Sequence, residues 1–439
     1  MTRLLVLILI LVGAAGCDRA AVEPLRPSLV VESPDLGEIL PGSELTLRVR
    51  AGGSGQIAAV EIGGEPAERS GDAYTATLRV SRGLTAIPLA AFDASGSQIV
   101  ADTAYALFAD PVTVQRAAPE GLDGGGALTV TALSPDRLLL AGGEPPAGDP
   151  RAPATLLRAS GELLFVEAVT ELGVARYNHT ATLMPDGTVL LLGGATRRRP
   201  RSRGEFVTTA EQVTPGLAAS VDVQVVGELP LRSGHVTRRV DVDGEVLLFL
   251  IGGVVPGEPP VPSRTLDVLR YVPSSVPRLV VLTPPGGSGE LPKLPAPLLL
   301  DLTSSPDGRA ASVLLGLGPG ADVATRLSWA PPGPPAFPVG VSMTEAAPLI
   351  EGRTEAASAA LPEGLFLVAG GRDGAGATLG SVEAVVPAAG RAFALPPAGA
   401  LGLPRSGHGA TSLGPGRMIV IGGYSEAGFP LLAPEITTL

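Results

Sequence analysis

The sequence of 439 residues predicts an all-β protein, and three observations lead to this prediction. Glycine (58) and proline (44) are frequent, while 45% of the residues are hydrophobic and 17% are charged. This composition is typical of many short strands joined by tight turns. We expect an ordered chain, because a disordered chain is more charged and less hydrophobic. Apolar and polar residues alternate over much of the chain up to residue 109. From residue 138 onwards, an apolar segment that ends in two glycines recurs, which indicates an internal repeat.

The charged and reactive residues exclude several classes of function. The formal net charge of -11 argues against general nucleic-acid binding, which needs a basic surface. The chain has one cysteine, Cys17, and three histidines, His179, His235 and His408. Because these residues are few and far apart in the sequence, we expect no metal site, no cofactor, no disulfide and no catalytic thiol. We assign no catalytic residue.

The N-terminus is typical of an export signal. Met1–Arg3 is basic, Leu4–Val12 is apolar, and small residues lead up to Cys17. The apolar run is too short for a transmembrane helix, which needs about 20 apolar residues. Residues 1–16 are therefore predicted to be a signal peptide. The segment resembles the lipobox of bacterial lipoproteins, although Ala14 stands where that family usually has leucine.

This resemblance implies cleavage before Cys17 and attachment of lipid to its thiol. The protein would then be exported and anchored through its lipidated N-terminus to a membrane of the bacterial cell envelope, inner or outer. The alternative is an ordinary signal peptide cleaved near Ala15 or Gly16, which would leave a free thiol. Residues 17–27 are mostly polar and contain proline, which predicts a short tether.

Residues 28–109 predict a small β-sandwich. Segments of alternating apolar and polar residues are separated by turns, as expected for sheets with one buried face. These segments are residues 29–34, 44–50, 57–62, 74–80, 85–92 and 99–107. The stretch Gly83–Gly96 resembles the late strands of bacterial immunoglobulin-like domains. That resemblance implies a spacer domain.

Residues 110–439 predict a six-bladed β-propeller. Five apolar segments end in a pair of glycines, and a degenerate sixth copy lies at Val313–Gly318. The pairs are Gly142 and Gly143, Gly193 and Gly194, Gly252 and Gly253, Gly370 and Gly371, and Gly422 and Gly423. When the degenerate copy is counted through Gly316, successive copies are 51 to 64 residues apart, which fits four-stranded blades. Turns such as Pro185–Gly187 and Pro362–Gly364 would join the first and second strands.

A second motif precedes most of these segments. It reads Arg176-Tyr177-Asn178-His179, Arg232-Ser233-Gly234-His235, Arg353-Thr354-Glu355-Ala356 and Arg405-Ser406-Gly407-His408. With the glycine pairs, this pattern resembles Kelch repeats, which also carry an acidic residue in the third strand. The resemblance implies that the three histidines and the glycine pairs are structural positions of the repeat. Glu211, Glu383 and Glu435 would then accept hydrogen bonds from backbone donors near the glycines.

The two ends of this region predict how the propeller closes. The chain ends soon after Pro434–Thr438, which fits the third strand of the sixth blade and leaves its outermost strand missing. Val112–Arg116 precedes the first blade and has no other partner. We therefore expect Val112–Arg116 to supply the missing strand.

Two enzyme classes share the Kelch fold. Copper-radical oxidases need a cysteine joined to a tyrosine, so this class is excluded because Cys17 is the only cysteine. Sialic acid mutarotases need only an acid and a base at the central opening. An enzyme of that kind stays an alternative, with Glu355 or His408 as candidate residues.

A cluster of arginines departs from the acidic average of the chain. Arg197, Arg198, Arg199, Arg201 and Arg203 follow soon after Gly194. In a blade, this loop shares a face with the loops that lead into the first strands. The candidate binding face therefore also includes the motif arginines Arg176, Arg232, Arg353 and Arg405. Guanidinium groups favour carboxylate, phosphate or anionic glycan partners. The alternative is a solvated, mobile loop, with the motif arginines held in structural contacts.

Together, these features predict a cell-envelope lipoprotein that uses its propeller to bind or scaffold a protein or an anionic glycan. We expect no nucleic-acid partner. A purely structural envelope protein is a further alternative, because the fold by itself does not specify a function.

Overall fold

A computed structural model gives the fold of the protein and describes residues 26–439 with gaps. The gaps are residues 35–38, 41, 54–55, 123–124, 144–151, 161–162, 198–199, 217–219, 243, 264–265, 275–276, 363 and 387–388. Between residues 282 and 341 the description covers three strands alone. The predicted signal peptide, Cys17 and most of the predicted tether lie outside the described residues. Within the described part, no helix is long and apolar enough to cross a lipid bilayer.

The described residues form an all-β structure, which confirms the predicted class. Helical turns occur at Arg203–Glu205 and Pro397–Gly399. The chain divides into two compact units. One comprises the residues up to Asp35 together with Glu44–Leu78 and Ile87–Ala104, and the other comprises Leu36–Ser43, Arg79–Ala86 and Tyr105–Leu439.

Two four-stranded sheets are formed by the first eight strands. The strands are β1 (Ser28–Ser33), β2 (Glu44–Gly52), β3 (Ala59–Ile62), β4 (Glu65–Pro66), β5 (Glu68–Ser70), β6 (Ala73–Arg79), β7 (Gly83–Phe92) and β8 (Gln98–Phe108). One sheet has the order β1-β2-β6-β5 and the other β4-β3-β7-β8. In β2, Leu45, Leu47 and Val49 are buried and alternate with exposed residues. The predicted alternation is therefore confirmed here, because side chains of a strand point to opposite faces in turn.

Of the remaining described strands, all but β20 and β21 form six four-stranded antiparallel sheets, which we number in chain order. Sheet 1 contains β10 (Thr129–Ser134), β11 (Arg137–Ala141), β12 (Pro153–Ser160) and β13 (Leu163–Glu171), and sheet 2 contains β14 (Thr180–Leu183), β15 (Val189–Leu192), β16 (Thr209–Pro215) and β17 (Val221–Glu228). Sheet 3 contains β18 (Val236–Val242), β19 (Glu245–Ile251), β22 (Leu266–Val272) and β23 (Arg278–Val281), with a short hairpin of β20 (Val254–Val255) and β21 (Val261–Pro262) after β19.

Sheet 4 contains β24 (Leu302–Ser304), β25 (Ala311–Leu315), β26 (Val323–Trp329) and β27 (Ser342–Pro348). Sheet 5 contains β28 (Ala357–Ala360), β29 (Phe366–Ala369), β30 (Val382–Val386) and β31 (Arg391–Ala394). Sheet 6 contains β32 (Gly409–Ser412), β33 (Arg417–Ile421), β34 (Glu435–Thr438) and β9 (Val112–Gln115).

The second strands are continuous apolar runs because both faces of a sheet are covered. In β15, all four residues from Val189 to Leu192 are buried. Val189 and Leu191 pack with Leu139 of sheet 1 in one hydrophobic cluster. Leu190 and Leu192 pack with β19 of sheet 3 in another. Sheet 2 is therefore sandwiched face to face between sheets 1 and 3.

Neighbouring sheets lie in a continuous series. The first strands of sheets 1 and 2, 2 and 3, 5 and 6, and 6 and 1 contact each other. The outer strands β27 and β31 bring sheets 4 and 5 together in the same way. The order of neighbours is therefore 4-5-6-1-2-3, and sheet 6 lies beside both sheet 5 and sheet 1.

Sheet 6 joins the two ends of the repeat region, as the sequence predicts. Strand β9 pairs antiparallel with β34, in a register that sets Val112 opposite Thr438 and Gln115 opposite Glu435. The Thr113 and Thr437 hydroxyls lie 2.9 Å apart across this pair. The early strand therefore completes the last sheet by backbone hydrogen bonds.

The predicted hairpin turns have the backbone conformation that glycine favours. Gly187, between β14 and β15, has φ +83°, and Gly364, between β28 and β29, has φ +80°. The degenerate glycines Gly316 and Gly318 lie outside the described residues, although β25 precedes them.

Candidate functional site

The motif arginine of sheet 2 is a buried structural group. Arg176 has 0% of its surface exposed and lies directly before β14. Its Nη2 donates to Glu211 Oε2 at 2.6 Å, and its Nη1 donates to the carbonyls of Gly193 (3.3 Å) and Thr209 (3.1 Å). The guanidinium therefore holds together the end of β15 and the start of β16. Burial lowers the pKa of Arg176, while the charge of Glu211 and its hydrogen bond oppose that shift.

The same arrangement recurs in three further sheets. The ion pairs are Arg232 with Asp267, Arg353 with Glu383, and Arg405 with Glu435. Each arginine also donates to the carbonyl of the first glycine in its own sheet's pair: Gly252 at 3.0 Å, Gly370 at 3.0 Å and Gly422 at 2.9 Å. All four arginines are at most 1% exposed. The prediction that Arg176, Arg232, Arg353 and Arg405 belong to a binding face is therefore wrong, because their guanidinium groups are enclosed in the interior.

Two of the third-strand carboxylates, Glu383 and Glu435, also hold the loop that leads to the arginine. Glu383 accepts hydrogen bonds from the backbone N–H groups of Ile350 (2.8 Å) and Glu351 (3.1 Å). Glu435 accepts equivalent bonds from Gly402 (2.5 Å) and Leu403 (3.1 Å). Backbone donors were expected near the glycine pairs. In these two sheets they instead lie just before the motif arginine, so Glu383 and Glu435 each bind one loop and one side chain at once.

The three histidines link each sheet to the one before it. His179, His235 and His408 are all buried. The Nε2 atom of His179 lies 3.1 Å from the Thr129 hydroxyl of sheet 1. That of His408 lies 3.0 Å from the Ala369 carbonyl of sheet 5. Each histidine belongs to a different sheet, and the described residues contain no group of three or more metal-ligating side chains that could hold a metal ion.

Burial keeps these imidazoles neutral. It lowers the pKa of His179 to about 3, and the nearby charge of Arg176 acts in the same direction. It lowers the pKa of His408 to about 3 and holds that of His235 well below its usual range. A neutral, enclosed imidazole cannot exchange protons with a ligand near neutral pH, so His408 does not suit the acid or base of a mutarotase-like enzyme.

These pKa shifts predict a loss of stability in mild acid. The folded pKa of His179 lies below its unfolded value of about 6.5, so its contribution is complete above that pH and is lost as the pH falls towards 3. His179→Leu removes this titration. Leu128 lies beside Gly422 as His179 lies beside Gly142, so a leucine already holds the matching position before sheet 1. Between pH 7 and pH 5, we expect the free energy of unfolding to fall by about 2 kcal/mol less in the variant than in the wild type. Urea unfolding at the two pH values measures this difference, and equal losses would contradict it.

The glycine pairs receive the motif loop of the next sheet. The second glycine donates its N–H to the carbonyl of the next motif arginine, from Gly143 to Arg176 at 3.0 Å and from Gly194 to Arg232 at 2.9 Å. Gly371 makes the same bond to Arg405 at 2.8 Å. Gly194 has φ +91°, and an added Cβ would lie 2.6 Å from the Tyr177 carbonyl oxygen. Glycine is therefore required at position 194, because the positive φ favours glycine and because there is no room for a Cβ.

A chain of backbone hydrogen bonds joins five sheets through the third motif position. The residues at this position all have a positive φ: Ala127, Asn178, Gly234, Glu355 and Gly407. Their bonds run from Gly234 N to Asn178 O (2.8 Å), Asn178 N to Ala127 O (3.4 Å), Ala127 N to Gly407 O (2.5 Å) and Gly407 N to Glu355 O (2.7 Å). The only sequence signal for this chain of bonds is the glycine at two of the positions. Glu355 is partly exposed and forms an ion pair with Arg372.

Among the described residues of sheet 1, Gly125 and Thr155 stand at the two positions of the ion pair. The carbonyl of Gly125 accepts from Gly423 in the place that the motif arginines take elsewhere. Thr155, which pairs with Leu140, holds the position that Glu211 holds opposite Leu191. Both charged partners are thus replaced together, which avoids leaving one charge buried and alone.

The base of the arginine-rich loop lies beside the motif loop of sheet 2. Tyr177 and Ala195 exchange two backbone hydrogen bonds of 2.8 and 3.0 Å. We call this end of the sheets, where the glycine pairs and motif loops meet, the glycine end. Of the predicted loop arginines, Arg197, Arg201 and Arg203 are exposed, whereas Arg198 and Arg199 lie outside the described residues. The exposed cations of the candidate site are therefore in this loop.

No family model matches the chain, and no curated protein matches it. Among solved structures, one described as YjhT has 13% identity and a TM-score of 0.47, covering 73% of this chain and 95% of that chain. An auxiliary nutrient binding protein from Bacteroides ovatus has 10% identity and a TM-score of 0.44, covering 94% and 98%. A fungal alcohol oxidase in complex with copper has 14% identity and a TM-score of 0.42, covering 94% and 74%. Likeness at this level carries no information about activity or ligands.

Proposed function

We propose that residues 110–439 form a six-bladed Kelch-type propeller, preceded by an immunoglobulin-like spacer over residues 28–109. The series of sheets 4-5-6-1-2-3 supports the ring, because each described sheet contacts the next. The chain of backbone bonds across sheets 3, 2, 1, 6 and 5 supports a common axis. The pairing of β9 with β34 supports closure within one blade. An experimental structure with five or seven blades around the axis would overturn this proposal.

The proposed role is that of a binding or scaffolding module in the bacterial cell envelope, carried on a lipid anchor at Cys17 after removal of residues 1–16. Its partner is a protein or an anionic glycan. One observation carries this proposal. The motif arginines are enclosed in ion pairs, whereas the described arginines of the adjoining loop, Arg197, Arg201 and Arg203, are exposed at the same end of the sheets. The motif arginines thus maintain the fold, and the loop arginines are accessible to a partner.

The proposal is tested by replacing Arg197, Arg198, Arg199, Arg201 and Arg203 together with serine. The matched control replaces five exposed arginines outside the loop, Arg50, Arg69, Arg79, Arg391 and Arg417, which removes the same charge. Binding of the full-length protein in detergent to heparin and to solubilised envelope material is measured for both. We expect the loop variant to bind about tenfold more weakly or worse, since each lost charge-assisted hydrogen bond contributes about 1.5–3 kcal/mol, and the control to bind like the wild type.

Equal binding by the loop variant and the wild type would contradict a recognition role for this loop. Absence of any partner for the wild type, with homotypic contacts alone, would favour the purely structural alternative.

A further inference from the structure

The arginine-rich loop is organised around one carboxylate, that of Glu205. Glu205 Oε1 lies 3.3 Å from Arg197 Nε, and Glu205 Oε2 accepts a 2.5 Å hydrogen bond from the backbone N–H of Arg201. The carbonyl of Glu205 accepts from the N–H of Thr196 at 2.7 Å. A single residue therefore holds both arms of the loop.

The base of the loop is fixed independently of this carboxylate. Phe206 and Val207 are buried, and Val207 N donates to the Gly194 carbonyl at 3.0 Å. Ala195 bridges to Phe206 on one side and to Tyr177 on the other. A change confined to the Glu205 side chain leaves these contacts in place, so the loop keeps its attachment to sheet 2.

The partners of Glu205 are those that an anionic ligand would use. A guanidinium N–H and a backbone N–H converge on its two oxygens, and both kinds of donor bind carboxylate, phosphate and sulfate groups. The Arg197 side chain is 68% exposed, so solvent weakens its ion pair. The loop carries five arginines and this one glutamate between residues 195 and 208. An external anion with a higher charge density can therefore compete for the same donors.

We propose that Glu205 is a built-in counter-anion that a phosphate- or sulfate-bearing polymer displaces when it binds the loop. This inference rests on the proposed function, and it narrows the ligand class to polyanions with closely spaced phosphate or sulfate groups. A polymer with several such groups engages the remaining arginines at the same time, which a lone carboxylate in the loop cannot do.

The test compares Glu205→Gln with the wild type in the full-length protein purified in detergent. Binding to fluorescent heparin, to inorganic polyphosphate and to poly-glutamate is measured at low and moderate salt. We expect Glu205→Gln to bind heparin and polyphosphate about three- to tenfold more tightly, with a salt dependence steeper by about one charge. Glu426→Gln is the matched control, because it removes one exposed carboxylate from another loop at the glycine end.

Each outcome decides the inference. Equal affinity of Glu205→Gln and Glu426→Gln, or weaker binding by Glu205→Gln, would overturn the role of Glu205 as a displaced counter-anion. Poly-glutamate binding as tight as heparin and polyphosphate binding would overturn the narrower ligand class. In these cases the proposed function is still tested separately, because the variant without the five loop arginines measures their contribution to binding and leaves Glu205 unchanged. Glu205→Asp, which keeps the charge on a shorter side chain, is expected to bind like the wild type.

Discussion

Arg176→Met is expected to lower the free energy of unfolding by about 3–5 kcal/mol. The substitution leaves the Glu211 carboxylate fully buried without the guanidinium that it contacts at 2.6 Å. The carbonyls of Gly193 and Thr209 lose a donor at the same time. Removal of one partner of a buried ion pair costs far more than the net contribution of the pair, because the remaining charge keeps its full desolvation penalty.

The double variant Arg176→Met/Glu211→Leu is the matched control. It removes both charges, and we expect it to be more stable than either single variant. Sheet 1 already holds Gly125 and Thr155 at the two positions. Urea unfolding of the wild type, both single variants and the double variant gives the four free energies of unfolding. A loss in the double variant equal to the sum of the single losses would show that the two residues do not act as a pair.

Gly194→Ala is expected to destabilise the protein by about 2–5 kcal/mol, the sum of a conformational and a steric cost. The residue has φ +91°, which an L-residue with a Cβ rarely adopts. The new Cβ would also lie 2.6 Å from the Tyr177 carbonyl and 2.9 Å from the His179 Cβ. The motif loop must then move away from the glycine pair, which breaks contacts between sheets 1, 2 and 3.

Gly187→Ala separates the two costs. Gly187 has a similar φ of +83°, but no atom lies within 4 Å of an added Cβ. We expect a loss of about 1–2 kcal/mol, which is the cost of the left-handed conformation alone. Both variants are measured by urea unfolding under the same conditions. Losses of equal size would contradict the steric role of the glycine pair.

The repeat was predictable because its signal is local. Strand β15 is a continuous apolar run followed by Gly193 and Gly194, and both features can be seen in adjacent residues. The pairing of β9 with β34 was predictable for a different reason, since it follows from counting strands at the two ends of the repeat region. The short strands β4 and β5 were missed, because Glu65–Pro66 and Glu68–Ser70 carry no alternation of apolar and polar residues.

The predicted binding face was wrong for the motif arginines, because the sequence does not show the direction in which a side chain points. Sequence shows that Arg176 and Arg197 are both arginines close to a glycine pair, but not that one points inwards and the other outwards. The partner of Arg176 is Glu211, 35 residues later, and the partner of Arg405 is Glu435, 30 residues later. A carboxylate at this distance from each motif arginine is the signal that could have identified the pairs.

The chain of bonds through the third motif position could not be read from the sequence. Gly234 and Gly407 are recognisable as glycines, but Asn178, Glu355 and Ala127 adopt the same left-handed conformation without any common chemistry. Their positions are set by backbone hydrogen bonds between sheets, which depend on the stacking of the sheets and not on the side chains.

The sequence by itself determined the all-β class, the internal repeat and the strand that completes sheet 6, because periodicity and glycine positions act over a few neighbouring residues. The tertiary structure alone decided which charges are buried. A guanidinium is enclosed where a carboxylate and free carbonyls converge from distant parts of the chain, as around Arg176, whereas Arg197, Arg201 and Arg203 meet solvent. For this reason the candidate site lies in the loop beside the repeat motif and does not include the motif arginines.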